Sequence, residues 1–148
     1  MRTLAITAAS FVLGAVVAGS AFSLAAGMQA LPGQFLRTSQ TVTGQTIEVP
    51  AHPDVIAAIV TIPAGGRTPV HKHPYQRYVY ILAGSLDVST APGKGAMPTI
   101  RHYKPGDFLP EMRDQWHFGV NAGHDEVKLL VIDQVPSGTP ANMVMQGQ

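Results

Sequence analysis

Glycine and proline interrupt the apolar segments of this chain at short intervals, and this punctuation most constrains its fold. The chain has 15 glycines and 12 prolines in 148 residues. Beyond the N-terminal segment, no stretch of helical length shows the 3.6-residue apolar period of an amphipathic helix. Short strands separated by turns predict one all-β domain, an antiparallel sandwich or barrel. The strand candidates are Thr46–Val49, Val55–Ile62, Tyr78–Leu82, Leu86–Val88, Thr99–Tyr103, Phe108–Leu109, Trp116–Val120 and Val127–Asp133.

Charge and cysteine content exclude several classes of function. The formal net charge is +1, and the basic residues are scattered singly, so the chain lacks the clustered positive charge of a nucleic-acid-binding surface. The sequence contains no cysteine, which excludes disulfides, thiolate metal sites and cysteine nucleophiles. We therefore expect the partner to be a small-molecule substrate or ligand, with no nucleic acid bound.

The first 25 residues have the layout of a secretory signal peptide. Arg2 is the only charged residue before position 27, and an apolar stretch over Leu4–Val17 precedes a run of small residues. We expect cleavage between Ala25 and Ala26, with the Ser20/Ala21 bond as second choice. An uncleaved N-terminal anchor is the alternative, because the uncharged stretch is long enough to span a bilayer. The protein is therefore expected to be exported, periplasmic or secreted, with no membrane contact beyond this segment.

The remaining chain divides into three parts. We expect residues 26–54 to form a lead-in with the first strand, residues 55–135 to form the β-barrel, and residues 136–148 to be a loosely held tail.

Three histidines form the candidate metal site. His71 and His73 are two residues apart, so an extended backbone projects both rings from one face. His117 begins a later strand candidate and is the third expected ligand. Imidazole binds Fe, Mn, Ni, Cu and Zn, so the ligands alone do not select the ion. The spacing is also compatible with an exposed loop pair that binds nothing.

The residues around these histidines resemble the two signature motifs of the cupin superfamily. The resemblance implies a double-stranded β-helix, or jelly-roll barrel, with a metal ion in its mouth. Two departures lie in the second motif, where Met112 replaces the usual proline and Asp114 the usual glycine. The residues that match are Gly65, His71, His73 and Gly84 in the first motif, and Gly106, His117 and Asn121 in the second.

The third departure changes the charge of the expected site. The family pattern has a metal-binding glutamate where this chain has Arg77, which cannot bind a cation. In one interpretation, three neutral histidines hold the metal and Arg77 contacts an anionic group of the substrate. In the other, the metal site is lost and the barrel binds a small anion. Gln76 or Glu111 could add a ligand, but Gln76 has the wrong strand parity unless a bulge intervenes. Glu111 lies six residues before His117 and could equally neutralise Arg77.

The resemblance implies an exported cupin-type metalloprotein with one divalent transition metal ion. We expect a dioxygenase-like oxidoreductase that acts on a small organic substrate, anionic in the Arg77 interpretation, with Fe or Mn favoured. The alternatives are a non-catalytic small-anion-binding cupin and a metal-dependent isomerase or lyase. A homodimer is compatible with the sequence, because many relatives pair through sheet edges. The side chain of Arg77 discriminates between the interpretations: pairing with an acid relieves the repulsion of a metal, whereas an inward and unpaired guanidinium favours anion binding.

Overall fold

The computed structural model describes residues 35–90 and 97–147, and these residues form β-structure without a helix. The predicted signal peptide and the start of the lead-in lie outside the described residues. Among the described residues, no helix could cross a membrane. The strands are β1 (Pro53–Ile62), β2 (His71–Lys72), β3 (Gln76–Ala83), β4 (Leu86–Thr90), β5 (Ile100–Tyr103), β6 (Phe108–Pro110), β7 (His117–Val120), β8 (Val127–Pro136) and β9 (Val144–Met145).

The strands form two antiparallel sheets, which confirms the all-β prediction. One sheet has the order β1-β8-β3-β6, and the other has the order β5-β4-β7-β2-β9. The pairing of β1 with β8 runs unbroken from Pro53↔Pro136 to Ile62↔Val127. Strands that are distant in sequence are therefore neighbours in both sheets, which is the arrangement of a jelly roll.

The core lies between the sheets and follows the two-residue period of the strands. In β8, alternate residues from Val127 to Val135 are buried, and the intervening ones are partly or fully exposed. The turn between β3 and β4 requires glycine, because Gly84 has a φ of +72° and a Cβ there would lie 2.7 Å from the Glu126 carbonyl oxygen. The buried cluster comprises Ile62, Val79, Ile81, Leu86, Val88, Leu109, Met112, Val127, Leu129 and Val131.

The ends of the domain differ from the sequence prediction. In the expected strand Thr46–Val49, only Thr46 forms a bridge, with Gln40. The tail, expected to be loosely held, returns to the barrel: Val144 pairs with Lys72, and Asn142 is buried. The physical reason is that β2 offers backbone hydrogen-bonding groups to β9, a strand too short to show a sequence period.

Candidate metal centre

The sheet that contains β2 and β7 brings the three predicted histidines together. His71 and His117 face each other in the antiparallel pair of β2 and β7. His73 follows β2 by one residue and joins them, so the centroids of the three rings are 4.5 to 5.0 Å apart. All three side chains are buried. The structure therefore excludes an exposed loop pair.

Backbone carbonyl groups orient each imidazole ring. The Nδ1 atoms lie 2.7 Å from the Pro69 oxygen for His71, 2.7 Å from the Asn142 oxygen for His73 and 2.9 Å from the Gln115 oxygen for His117. Since a carbonyl only accepts, each Nδ1 carries the proton and donates it. Each Nε2 then presents a lone pair, the form in which histidine binds a metal ion.

The geometry of the free nitrogens fits a metal ion. One ligand atom from each histidine lies within 4.8 Å of the other two. The buried Nε2 atoms of His73 and His117 have no hydrogen-bond partner in the described part of the chain. A buried polar atom without a partner is costly, and a bound cation would remove this cost at both nitrogens.

Glu111 directly follows β6 and points its carboxylate at this cluster. Its Oε2 lies 3.1 Å from Nε2 of His73 and 3.9 Å from Nε2 of His117. Glu111 is one of the two additional ligands predicted from the sequence, and it lies at the site. The structure does not bring Gln76 there: no bulge interrupts β3 at this residue, and the Gln76 amide donates to the backbone oxygens of Arg77 and Glu111.

Arg77 lines the cavity of the barrel and is also paired with an acid, a combination of the two orientations predicted as alternatives. It stands opposite Asp133 in the β3–β8 ladder, and its Nε and Nη2 donate to the two carboxylate oxygens of Asp133 at 2.7 Å each. This bidentate pair compensates the guanidinium charge inside the domain. The site thus combines two carboxylates, Glu111 and Asp133, with one guanidinium, a balance that favours a cation.

The pKa shifts favour the protonation states in which histidine and glutamate bind a cation. Burial lowers the pKa of His71 to about 4 and also lowers the pKa of His117, so both rings are neutral near pH 7. Burial alone would raise the pKa of Glu111, but the neighbouring His73, His117 and Arg77 outweigh it and lower this pKa to about 2. Glu111 is therefore a carboxylate, and the nearby rings of His71 and His117 are neutral.

A cavity of about 70 Å³ adjoins the cluster. Its polar end is formed by His71, His117, Arg77 and Glu111, and most of the remaining lining is valine, leucine and isoleucine. A cavity of about 150 Å³ binds benzene, so this smaller cavity encloses only a few non-hydrogen atoms of a substrate. Met143 of the tail completes one wall.

Two residues that support the site, Asp133 and Asn142, are not predicted from the sequence. Asp133 ends the strand candidate Val127–Asp133, but its pairing with Arg77 depends on a register that the sequence does not reveal. Asn142 lies in the tail. Its carbonyl accepts from His73, and its Nδ2 donates to Oδ1 of Asp133 at 2.8 Å. No motif marks it.

Fold and site together define the class: an all-β jelly-roll domain whose buried histidine triad could hold one metal ion. The family described as Cupin_2, cupin domain, matches residues 58–133. This match covers half of the chain, and the chain belongs to the cupin domain family. The resemblance stated from the two motifs is thereby confirmed.

Solved structures with the same fold include two oxalate decarboxylases. The enzyme from Lactobacillus farciminis, in its formate complex, is 22% identical, with a TM-score of 0.53 over 62% of this chain and 26% of the other. The Bacillus subtilis enzyme, whose Mn(II) centres were studied by EPR, is 20% identical, with a TM-score of 0.53 over 62% and 24%. This chain spans about a quarter of the length of these relatives. A search of curated proteins gave no significant match.

Proposed function

We propose that this chain is a metal-dependent cupin oxidoreductase of the dioxygenase type, with one divalent transition metal ion held by His71, His73 and His117. Fe or Mn is favoured over Ni, Cu and Zn. The observation that carries the proposal is the orientation of the three rings: every Nδ1 donates to a backbone carbonyl, and the three imidazoles converge in a buried site. The substrate is a small organic molecule, because the cavity is about 70 Å³.

The residues of the chain have distinct tasks in this proposal. When bound, the metal supplies open coordination positions and Lewis acidity. The backbone carbonyls hold the proton of each ring on Nδ1, and the apolar lining limits the access of water. Arg77 contacts an anionic group of the substrate through Nη1, the guanidinium nitrogen that forms no hydrogen bond with the described residues.

Metal analysis tests the proposal. The full chain, purified without a histidine tag, should contain about one equivalent of transition metal by elemental mass spectrometry. His71→Ala and His117→Ala should lose it. The matched controls His52→Ala and His124→Ala replace exposed histidines and should keep it. The proposal would be refuted if the wild-type protein is purified without metal and does not bind added Fe(II), Mn(II), Ni(II), Cu(II) or Zn(II).

Small-anion binding without chemistry is the second candidate, and the inward position of Arg77 is the observation that favours it. Its pairing with Asp133 weakens this candidate, since a compensated guanidinium attracts an anion less strongly. Calorimetric titration of the metal-free protein with formate, acetate and oxalate discriminates between the two. Binding that is lost in Arg77→Met supports the second candidate. The same metal site would also serve an isomerase or lyase, which product analysis separates from oxygen consumption.

Export is proposed from residues 1–25, with the protein periplasmic or secreted. Cell fractionation and N-terminal sequencing test this proposal. A mature chain that begins at Ala26 supports cleavage, whereas an intact chain in the membrane fraction supports the anchor. Sedimentation of the same sample tests the homodimer.

A further inference from the structure

We propose that Glu111 is the fourth protein ligand of the metal ion, supplied by the residue that directly follows β6. This inference rests on the proposed metal centre and adds an oxygen ligand to three nitrogens. It assigns to the site a carboxylate that lies six residues before His117 in sequence.

The first step is the position of the carboxylate. Glu111 extends the pairing of β6 with β3, because its backbone N–H donates to the Arg77 oxygen at 2.8 Å. Its side chain then enters the barrel beside Arg77, and both line the cavity. Oε2 lies 3.1 and 3.9 Å from Nε2 of His73 and His117. Two atoms bound to one ion at usual bond lengths are about 3 to 4 Å apart.

The second step concerns what lies between these atoms. Glu111 Oε2 approaches Nε2 of His73 to 3.1 Å, and the described residues offer this nitrogen no other partner. The proton of that ring is on Nδ1, which donates to the Asn142 oxygen. In the tautomer protonated only on Nδ1, the Nε2 lone pair faces the carboxylate oxygen, and a cation between the two atoms makes this contact favourable.

The third step is that Arg77 is occupied elsewhere. Its Nε and Nη2 both donate to Asp133, and no ion pair joins it to Glu111 among the described residues. Glu111 is only 7% exposed, and its recorded partners in the described part of the chain are the imidazoles of His73 and His117. A metal ion held by these imidazoles would compensate the charge of the buried carboxylate.

Mn(II) binding to the full chain tests the assignment. The probe is Mn(II) alone, titrated by EPR and calorimetry into wild type, Glu111→Gln and the matched control Glu126→Gln, whose side chain is exposed. Glu111→Gln preserves the size of the side chain and removes its charge. We expect its Kd to rise at least about 100-fold, the upper end of what the loss of an outer-sphere partner causes, while the control stays within threefold.

The outcomes separate this inference from the proposed function. If wild type and Glu111→Gln bind Mn(II) equally while His71→Ala does not, the metal centre stands and Glu111 is not a ligand. If wild type binds no metal, both proposals fail. A thermal melt of metal-free Glu111→Gln identifies a variant that fails to fold, and Glu111→Asp, which keeps the charge, is then the second variant. We expect Glu111→Asp to bind Mn(II) more tightly than Glu111→Gln.

A spectroscopic test distinguishes a ligand from a residue that only positions His73. The visible absorption of bound Co(II) depends on the identity of its ligands. At saturating Co(II), we expect the bands of Glu111→Gln to differ in position and intensity from those of wild type. Identical spectra would overturn the assignment even if the affinity fell.

Discussion

The two histidine-bearing corners of this domain depart from the cupin pattern in different ways. The corner from β2 to β3, residues 71–84, keeps both histidines and the glycine but carries Arg77 in place of glutamate. The corner from β6 to β7, residues 106–121, keeps its histidine and asparagine but carries Met112 and Asp114. The first departure reverses a charge inside the site, and the second preserves the shape of a turn.

In the second corner, the family's glycine and proline positions are occupied by Asp114 and Met112. Asp114 has a φ of +53°, the left-handed conformation expected at a glycine position. Its carboxylate accepts from Lys72 at 3.0 Å, and its N–H donates to the His73 oxygen at 2.9 Å. Met112 is buried in the core. These residues therefore replace glycine and proline without placing a charge in the interior that another strand must compensate.

The first corner depends on residues from other strands. Asp133 on β8 compensates Arg77, Glu111 beyond β6 provides a carboxylate, and Asn142 supports both His73 and Asp133. The comparison teaches that a turn position tolerates any residue that adopts its conformation, whereas a charge reversal in a buried site needs partners elsewhere.

Removing the partner of Arg77 should have the largest effect on stability. Asp133→Ala leaves a guanidinium buried without its carboxylate, and we expect the free energy of unfolding to fall by about 3 to 5 kcal/mol in urea denaturation. Glu48→Ala breaks the more exposed pair with Arg113 and should cost less than about 1 kcal/mol. Equal losses in the two variants would contradict the dependence of the first corner on β8.

A double replacement sharpens the same point. Arg77→Met combined with Asp133→Leu removes both charges together, so no buried charge remains unpaired. We expect this variant to lose about 2 kcal/mol less stability than Asp133→Ala. A double variant as unstable as the single one would show that shape, rather than charge, dominates at these positions.

Asn142→Ala should have an intermediate effect. It removes the donor to Asp133 and both side-chain contacts with Tyr75, and we expect a loss of about 1 to 3 kcal/mol in thermal or urea unfolding. Ser137→Ala changes an exposed residue of the same tail and should stay within about 0.5 kcal/mol. Similar small changes in both variants would restore the expectation of a loosely held tail.

The smallest effect is expected at the turn of the second corner. Asp114→Gly relieves the left-handed backbone but loses the Lys72 contact, so we expect a change within about 1 kcal/mol. Asp114→Val should cost about 1 to 2 kcal/mol, because a β-branched residue disfavours this conformation. Unfolding curves for the pair measure the difference. If Asp114→Val leaves the free energy of unfolding unchanged, the conformational explanation is wrong.

Local patterns predict much of the fold and the histidines of the site. Strand candidates such as Val55–Ile62 and Val127–Asp133 follow from β-branched runs between turn residues, and the spacing of His71 and His73 places both rings on one face. What local patterns miss depends on register. The pairing of Arg77 with Asp133 and the arrival of Glu111 beside His73 are set by which residues face each other across separate strands.

Anomalous diffraction from crystals of the full chain grown with Mn(II) tests the central claim most directly. The account predicts one manganese peak in the barrel, within bonding distance of Nε2 of His71, His73 and His117 and of a carboxylate oxygen of Glu111. An anomalous difference map with no manganese peak among the three rings would contradict this account.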